Sequence, residues 1–175
     1  MQLQEALDIL IRAMVNEQDG YDFYVAAAGR VSDPKGKKMF MSLANDELGH
    51  LHIIKTEYDK VTAGGGFVNL DEARRSLPPD PSLQLFPDKR QVQRMLEAAT
   101  DDEAALRIAL DFEQKGYHMY SDAAQRSTDR NAQEVFRFLA DQESQHYELI
   151  QNTLHFLTDS GVWYFQDSEK PFFEG

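Results

Sequence analysis

Two stretches of the chain, Phe40 to Ile54 (FMSLANDELGHLHII) and Phe136 to Ile150 (FRFLADQESQHYELI), repeat one another 96 residues apart. They share Phe40/Phe136, Leu43/Leu139, Ala44/Ala140, Glu47/Glu143, His50/His146 and Ile54/Ile150, and these positions step by three and four, the spacing of one helix face. A stripe of Phe, Leu and Ile belongs in a core. Each copy nevertheless sets a Glu and a His, three residues apart, in the middle of its stripe, and burying such groups is costly unless something compensates them. The chain must therefore build long helices and supply a partner for the polarity they bury.

Leu3, Leu7, Leu10, Met14, Tyr21, Tyr24 and Ala28 predict a first helix from Leu3 to about Val31, with Glu17 facing inward in the gap between Met14 and Tyr21. Asp33 can cap and Pro34 can open the next helix, so a tight hairpin leads into a second helix from Pro34 to about Val61. From Ala63-Gly64-Gly65-Gly66 to Pro87 no period holds, and the glycines and prolines mark a connector with at most one helical turn, near Asp71 to Ser76. Asp88 with Gln91 predicts a short helix to about Ala99, and Thr100 with Glu103 a capping box that opens a long helix to about Arg126. That long helix copies the first at the same offset: Glu17-Gln18-x-Gly20-Tyr21-x-x-Tyr24 matches Glu113-Gln114-x-Gly116-Tyr117-x-x-Tyr120. A second hairpin at Ser127-Thr128 leads into a fourth helix, from about Asp129 to Thr158, and the aromatic tail from Gly161 to Gly175 is expected to strap one end of the bundle or a partner subunit. The expected organisation is one bundle domain over residues 1–160, including a crossover connector over about 62–100, followed by the tail over 161–175.

Composition narrows the chemistry. With Lys+Arg 18 against Asp+Glu 30, the formal net charge of -12 argues against nucleic acid and against an anionic membrane surface as partners. The first segment carries Glu5, Asp8 and Arg12 within its apolar positions, so neither a signal peptide nor a membrane span is expected, and the cytoplasm is the expected compartment. Cysteine is absent. Disulfides and thiolate sites are excluded, and His and carboxylate remain as the strong metal ligands.

Glu17 and Glu47 lie at nearly equal distances on either side of the first hairpin turn, roughly 21 Å from it at about 1.5 Å of rise per residue. Glu113 and Glu143 stand in the same relation to the second turn. Two hairpins, each with a Glu opposite a Glu-x-x-His, can pack face to face and unite four carboxylates with two imidazoles. In a dry interior those carboxylates are unfavourable by many kcal/mol unless neutralised. Two divalent cations carry the matching charge, and the mixed oxygen and nitrogen shell suits iron or manganese.

On these two Glu-x29-Glu-x-x-His motifs the chain resembles the rubrerythrin branch of the ferritin-like superfamily, over nearly all its length except the connector and tail. The resemblance implies an all-α, ferritin-like four-helix bundle of two duplicated hairpins joined by a long crossover. It implies that Glu47 and Glu143 bridge two iron ions (Fe2+/Fe3+, alternatively Mn), that Glu17 and Glu113 are terminal ligands, and that His50 and His146 bind one ion each. It further implies an oxidoreductase that reduces hydrogen peroxide, or oxidises Fe(II) with O2. Full-length rubrerythrins add a four-cysteine rubredoxin domain; without cysteine, electrons are expected from an external donor such as a rubredoxin-like protein. Gly116 stands where rubrerythrins carry an extra carboxylate, so the expected site is symmetric and is also similar to the ferroxidase centre of bacterioferritins. Manganese catalase-like peroxide dismutation and ferritin-like iron storage or delivery are the alternatives, and a homodimer is the expected assembly.

The neighbours of the six residues carry lesser expectations. Gly20 and Gly116 either allow close helix packing or leave room for O2, peroxide or an incoming ion. Tyr21, Tyr24, Tyr117 and Tyr120 are expected in the core, with Tyr21 or Tyr117 placed to reach a ligand carboxylate. His52, His118 and His155 lie off the inward stripes as surface or packing residues, and Asp46 and Gln142 are expected on the exterior.

Overall fold

A computed structural model of the chain describes residues 3–67, 101–163 and 165. Among these it contains four helices: α1 (Leu3–Arg30), α2 (Pro34–Thr62), α3 (Asp102–Arg126) and α4 (Arg130–Ser160). Local chemistry sets their limits. The Asp33 carboxylate accepts from the backbone N–H groups of Lys35 (2.7 Å) and Gly36 (3.4 Å), with Pro34 in the first turn where its missing N–H costs nothing. Asp129 caps α4 in the same way through Ala132 N–H at 2.9 Å. The cap of α3 is Asp101, whose Oδ1 accepts from Ala104 N–H at 2.8 Å, one residue later than the expected Thr100 box. At the far end of α4 Gly161 takes the left-handed conformation (φ 67°) that turns the chain out of the helix.

Two apolar cores show how the helices are threaded. One unites Phe23, Tyr24, Phe40 and Leu43 of the first hairpin with Leu106, Ala109, Ile150 and Leu154 of the second. The other unites Leu10, Met14, Leu51 and Ile54 with Tyr120, Ala124, Phe136 and Leu139. Thus α1 and α4 run in one direction and α2 and α3 in the other, and each hairpin turn sits beside the open end of its partner. Thr62 and Asp102 consequently lie at opposite ends, which is why a long crossover is required. The result is an all-α, ferritin-like four-helix bundle.

In every helix the inward Glu falls between the two cores, so the bundle has a polar layer at mid-height. Trp163 and Phe165 of the tail are buried in the first core; Trp163 stands edge-on to Phe40 at 5.8 Å and donates from Nε1 to Asp102 Oδ2 at 3.2 Å. That much of the tail is a strap. The short helix expected over Asp88 to Ala99, the turn near Asp71 to Ser76, and the tail aromatics Tyr164, Phe172 and Phe173 lie outside the described residues.

Candidate metal centre

The polar layer gathers all six residues singled out by the duplication. Glu17 of α1, Glu47 and His50 of α2, Glu113 of α3, and Glu143 and His146 of α4 are each at most 4 % exposed. One atom each from Glu17, Glu47, His50 and Glu143 forms a group within 4.8 Å of one another, and Glu47, Glu113 and His146 form a second such group. Glu47 belongs to both. His50 Nδ1 lies 3.1 Å from Glu17 Oε2, 3.4 Å from Glu47 Oε2 and 3.6 Å from Glu143 Oε1. His146 Nδ1 lies 3.4 Å from Glu113 Oε2 and 3.5 Å from Glu47 Oε1, and the two rings stack with centroids 5.6 Å apart.

Protons hold this cluster together when no cation does. Burial, followed by the adjacent Glu47 charge, pushes the Glu17 carboxyl up to about 8. Glu47 goes the other way: burial pushes it up too, but the adjacent Glu17, His146 and His50 together outweigh burial and hold it below the usual carboxylate range. Glu143 is raised well above that range, by burial and then by the charges of Glu17, Glu113 and Glu47. Burial disfavours charge on both imidazoles, yet Glu17 and Glu47 lift His50 to about 9, and Glu113 with Asp46 raises His146 well above its ordinary value.

The donor set suits a pair of cations. Glu113 Oε2, Glu143 Oε1 and His146 Nδ1 are buried with no hydrogen-bond partner among the described residues. Atoms that converge at 3.4–3.6 Å without completing hydrogen bonds leave the space and lone pairs that coordination requires. Four carboxylates with two imidazoles match iron or manganese in hardness.

Three features around the six residues differ from expectation. The tyrosines that reach the carboxylates are Tyr24, which donates to Glu113 Oε1, and Tyr120, which donates to Glu17 Oε1, each crossing from one hairpin to the other. Tyr21 is only partly buried against the core, and Tyr117, 40 % exposed, lines an outer pocket of about 260 Å³ with Gln114, His118, Ser144 and Tyr147. Asp46 and Gln142 are interior residues, 3 % and 4 % exposed, and Asp46 Oδ2 lies 3.3 Å from His146 Nε2. Spacing could have revealed this, since Asp46 and Gln142 stand one turn before His50 and His146 and share their face. Finally, the space beside Gly20 and Gly116 is filled by the carboxylates of Glu47 and Glu143. His52 is a buried packing residue whose protonation is disfavoured by burial, while His118 and His155 are exposed.

A model of the rubrerythrin family matches residues 8–154, from the first turns of α1 into the last turns of α4. No curated protein and no solved structure matches the chain. The family match and the buried cluster of Glu and His point together to a di-iron carboxylate site, and the chain belongs to the rubrerythrin family.

Proposed function

We propose that the chain is a non-haem di-iron oxidoreductase that reduces hydrogen peroxide, with electrons from an external donor such as a rubredoxin-like protein. The observation that carries the proposal is the sharing of Glu47 between two buried ligand groups, one completed by Glu17, His50 and Glu143 and the other by Glu113 and His146. In this reading Glu17, Glu47, His50 and Glu143 would hold one ion and Glu47, Glu113 and His146 the other, with Glu47 common to both. When bound, two iron ions supply the redox equivalents for cleaving an O–O bond, and the net reaction consumes two electrons and two protons per peroxide to give two waters. Around them the protein's own groups bind and orient. Tyr24 and Tyr120 fix the rotamers of Glu113 and Glu17 through hydrogen bonds donated from Oη. The apolar cores above and below exclude water from the layer.

The same centre would oxidise Fe(II) with O2, and with manganese would dismutate peroxide, so the test separates these outcomes. The chain is loaded anaerobically with Fe(II) or with Mn(II), metal content and particle size are measured, and peroxide loss is followed with and without a reductant. Two irons per chain and reductant-dependent peroxide loss are expected. Oxygen evolution without reductant from the manganese form alone would assign the catalase reaction, and a large shell with many irons per chain would assign storage. Glu47→Ala should lose both ions while His52→Ala keeps them; equal metal content in the two variants would contradict the ligand assignment.

A further inference from the structure

The two halves of the centre are copies, but the residues that directly precede their inward glutamates are not. The 96-residue offset pairs Asp46 with Gln142, each standing directly before its shared Glu and one turn before its His. Both are buried. Asp46 brings a carboxylate oxygen to 3.3 Å from Nε2 of His146, across the interface between hairpins, on the opposite side of the ring from the Nδ1 that faces Glu47 and Glu113. Gln142, in the equivalent place of the other copy, contributes a neutral amide, and its Oε1 has no hydrogen-bond partner among the described residues.

We infer that Asp46 is a positioning residue that makes the two metal positions unequal: the ion held with Glu113 and His146 binds more tightly than the ion held with Glu17 and His50. A carboxylate that accepts from one ring nitrogen fixes the tautomer, leaves the other nitrogen as the lone-pair donor, and makes it a stronger one. It also adds negative charge near one ion alone. Besides the shared Glu47, each group has one Glu and one His, and Glu143 stands with Glu17 and His50, so the ranking rests on Asp46 and not on the primary ligands. What distinguishes the halves is the acid at position 46, in contact with the His146 ring, and the amide at the matching position 142. The inference rests on the metal-centre reading above and goes beyond it by ranking the two positions.

Co(II), a redox-stable divalent probe, tests it in the full chain. Calorimetric titration should resolve two unequal steps. Asp46→Asn keeps shape and removes charge, and should weaken the tighter step by about 10- to 100-fold while leaving the weaker one unchanged. In the Co(II)-loaded protein the ring N–H protons of the two histidines give separate exchangeable, paramagnetically shifted NMR signals, and Asp46→Asn should move one of them. A loss of packing alone would lower both affinities together. Equal change in both steps, no change in either, or two unmoved N–H signals would overturn the inference while leaving the metal centre standing. Should Asp46→Asn not fold, Gln142→Glu provides the converse: the weaker step strengthens and the tighter one stays, and any other pattern counts against it. If the unmodified chain takes up no Co(II), the metal-centre reading itself falls and takes this ranking with it.

Discussion

Gly20 and Gly116 occupy equivalent places in the two copies, yet an added methyl group meets different surroundings at each. At Gly116 it would collide with the Glu143 carboxylate, with Cδ only 2.9 Å away; at Gly20 the nearest atom, Glu47 Cδ, is 3.4 Å away, an ordinary contact. Gly116→Ala should therefore displace Glu143, at an overpacking cost of about 1–3 kcal/mol that outweighs the helix-propensity gain, and should weaken metal uptake. Gly20→Ala should keep both ions and gain up to about 1 kcal/mol. Thermal melting with and without metal reads both, at roughly 2–4 °C per kcal/mol for a chain of this size. Tyr24→Phe removes the donor to Glu113 and leaves a buried carboxylate oxygen unpaired, so it should cost about 1–3 kcal/mol. Urea unfolding of the metal-free protein measures that cost, and an unchanged midpoint would refute the role given to the hydroxyl. At this scale the six inward residues were legible because duplication and helical period place them without knowledge of contacts. The hydrogen bonds donated by Tyr24 and Tyr120, and the contact of the Asp46 carboxylate with His146 Nε2, were not, because each crosses between hairpins whose rotation about their axes the period does not specify.

At the scale of elements, the hairpin turns follow from local chemistry alone. Asp33 and Asp129 have a short side chain that reaches the N–H groups two to three residues on, and each stands where an apolar stripe restarts. Thr100 and Asp101 are adjacent cap formers, and the one that wins is decided by where the helix must begin to bury Ala105 and Leu106. The tail depends on a helix glycine: a methyl on Gly36 would stand 2.7 Å from the indole of Trp163 and from Val31 Cγ1. Gly36→Ala should push the strap off this end of the bundle and destabilise the protein by about 1–3 kcal/mol despite better helix propensity. Trp163 fluorescence should shift to the red as the indole meets water; an unmoved spectrum would show that the strap can shift without leaving its site.

For the molecule as a whole, the polar layer between two apolar cores makes stability depend on what neutralises it. In the metal-free protein Glu17 is raised from 4.5 to about 8 and His50 from 6.5 to about 9. Groups raised on folding favour the native state at low pH and lose that contribution as pH climbs toward their folded values. The melting temperature of the metal-free protein should therefore fall most steeply between about 6.5 and 8, where both groups act, and continue to fall to about 9. Glu47 is lowered instead, so its contribution is already complete across this window. Divalent cations must displace the same protons, so Mn(II) affinity should rise over the same range and the gap in melting temperature between loaded and metal-free protein should widen. Calorimetric scans at several pH values check both trends; a gap that narrows with pH would mean that protons and cations do not compete for these groups.

The sequence by itself determined four long helices, their pairing into two like hairpins, and six polar side chains held at one height, because period and duplication are properties of the chain read in one dimension. Which tyrosine meets which carboxylate, how Asp46 comes to back the imidazole of the opposite hairpin, and why one glycine is crowded while its copy is not were decided by tertiary packing. Those contacts depend on how two nearly identical hairpins rotate and settle against one another, and near-identity in sequence leaves that last degree of freedom open.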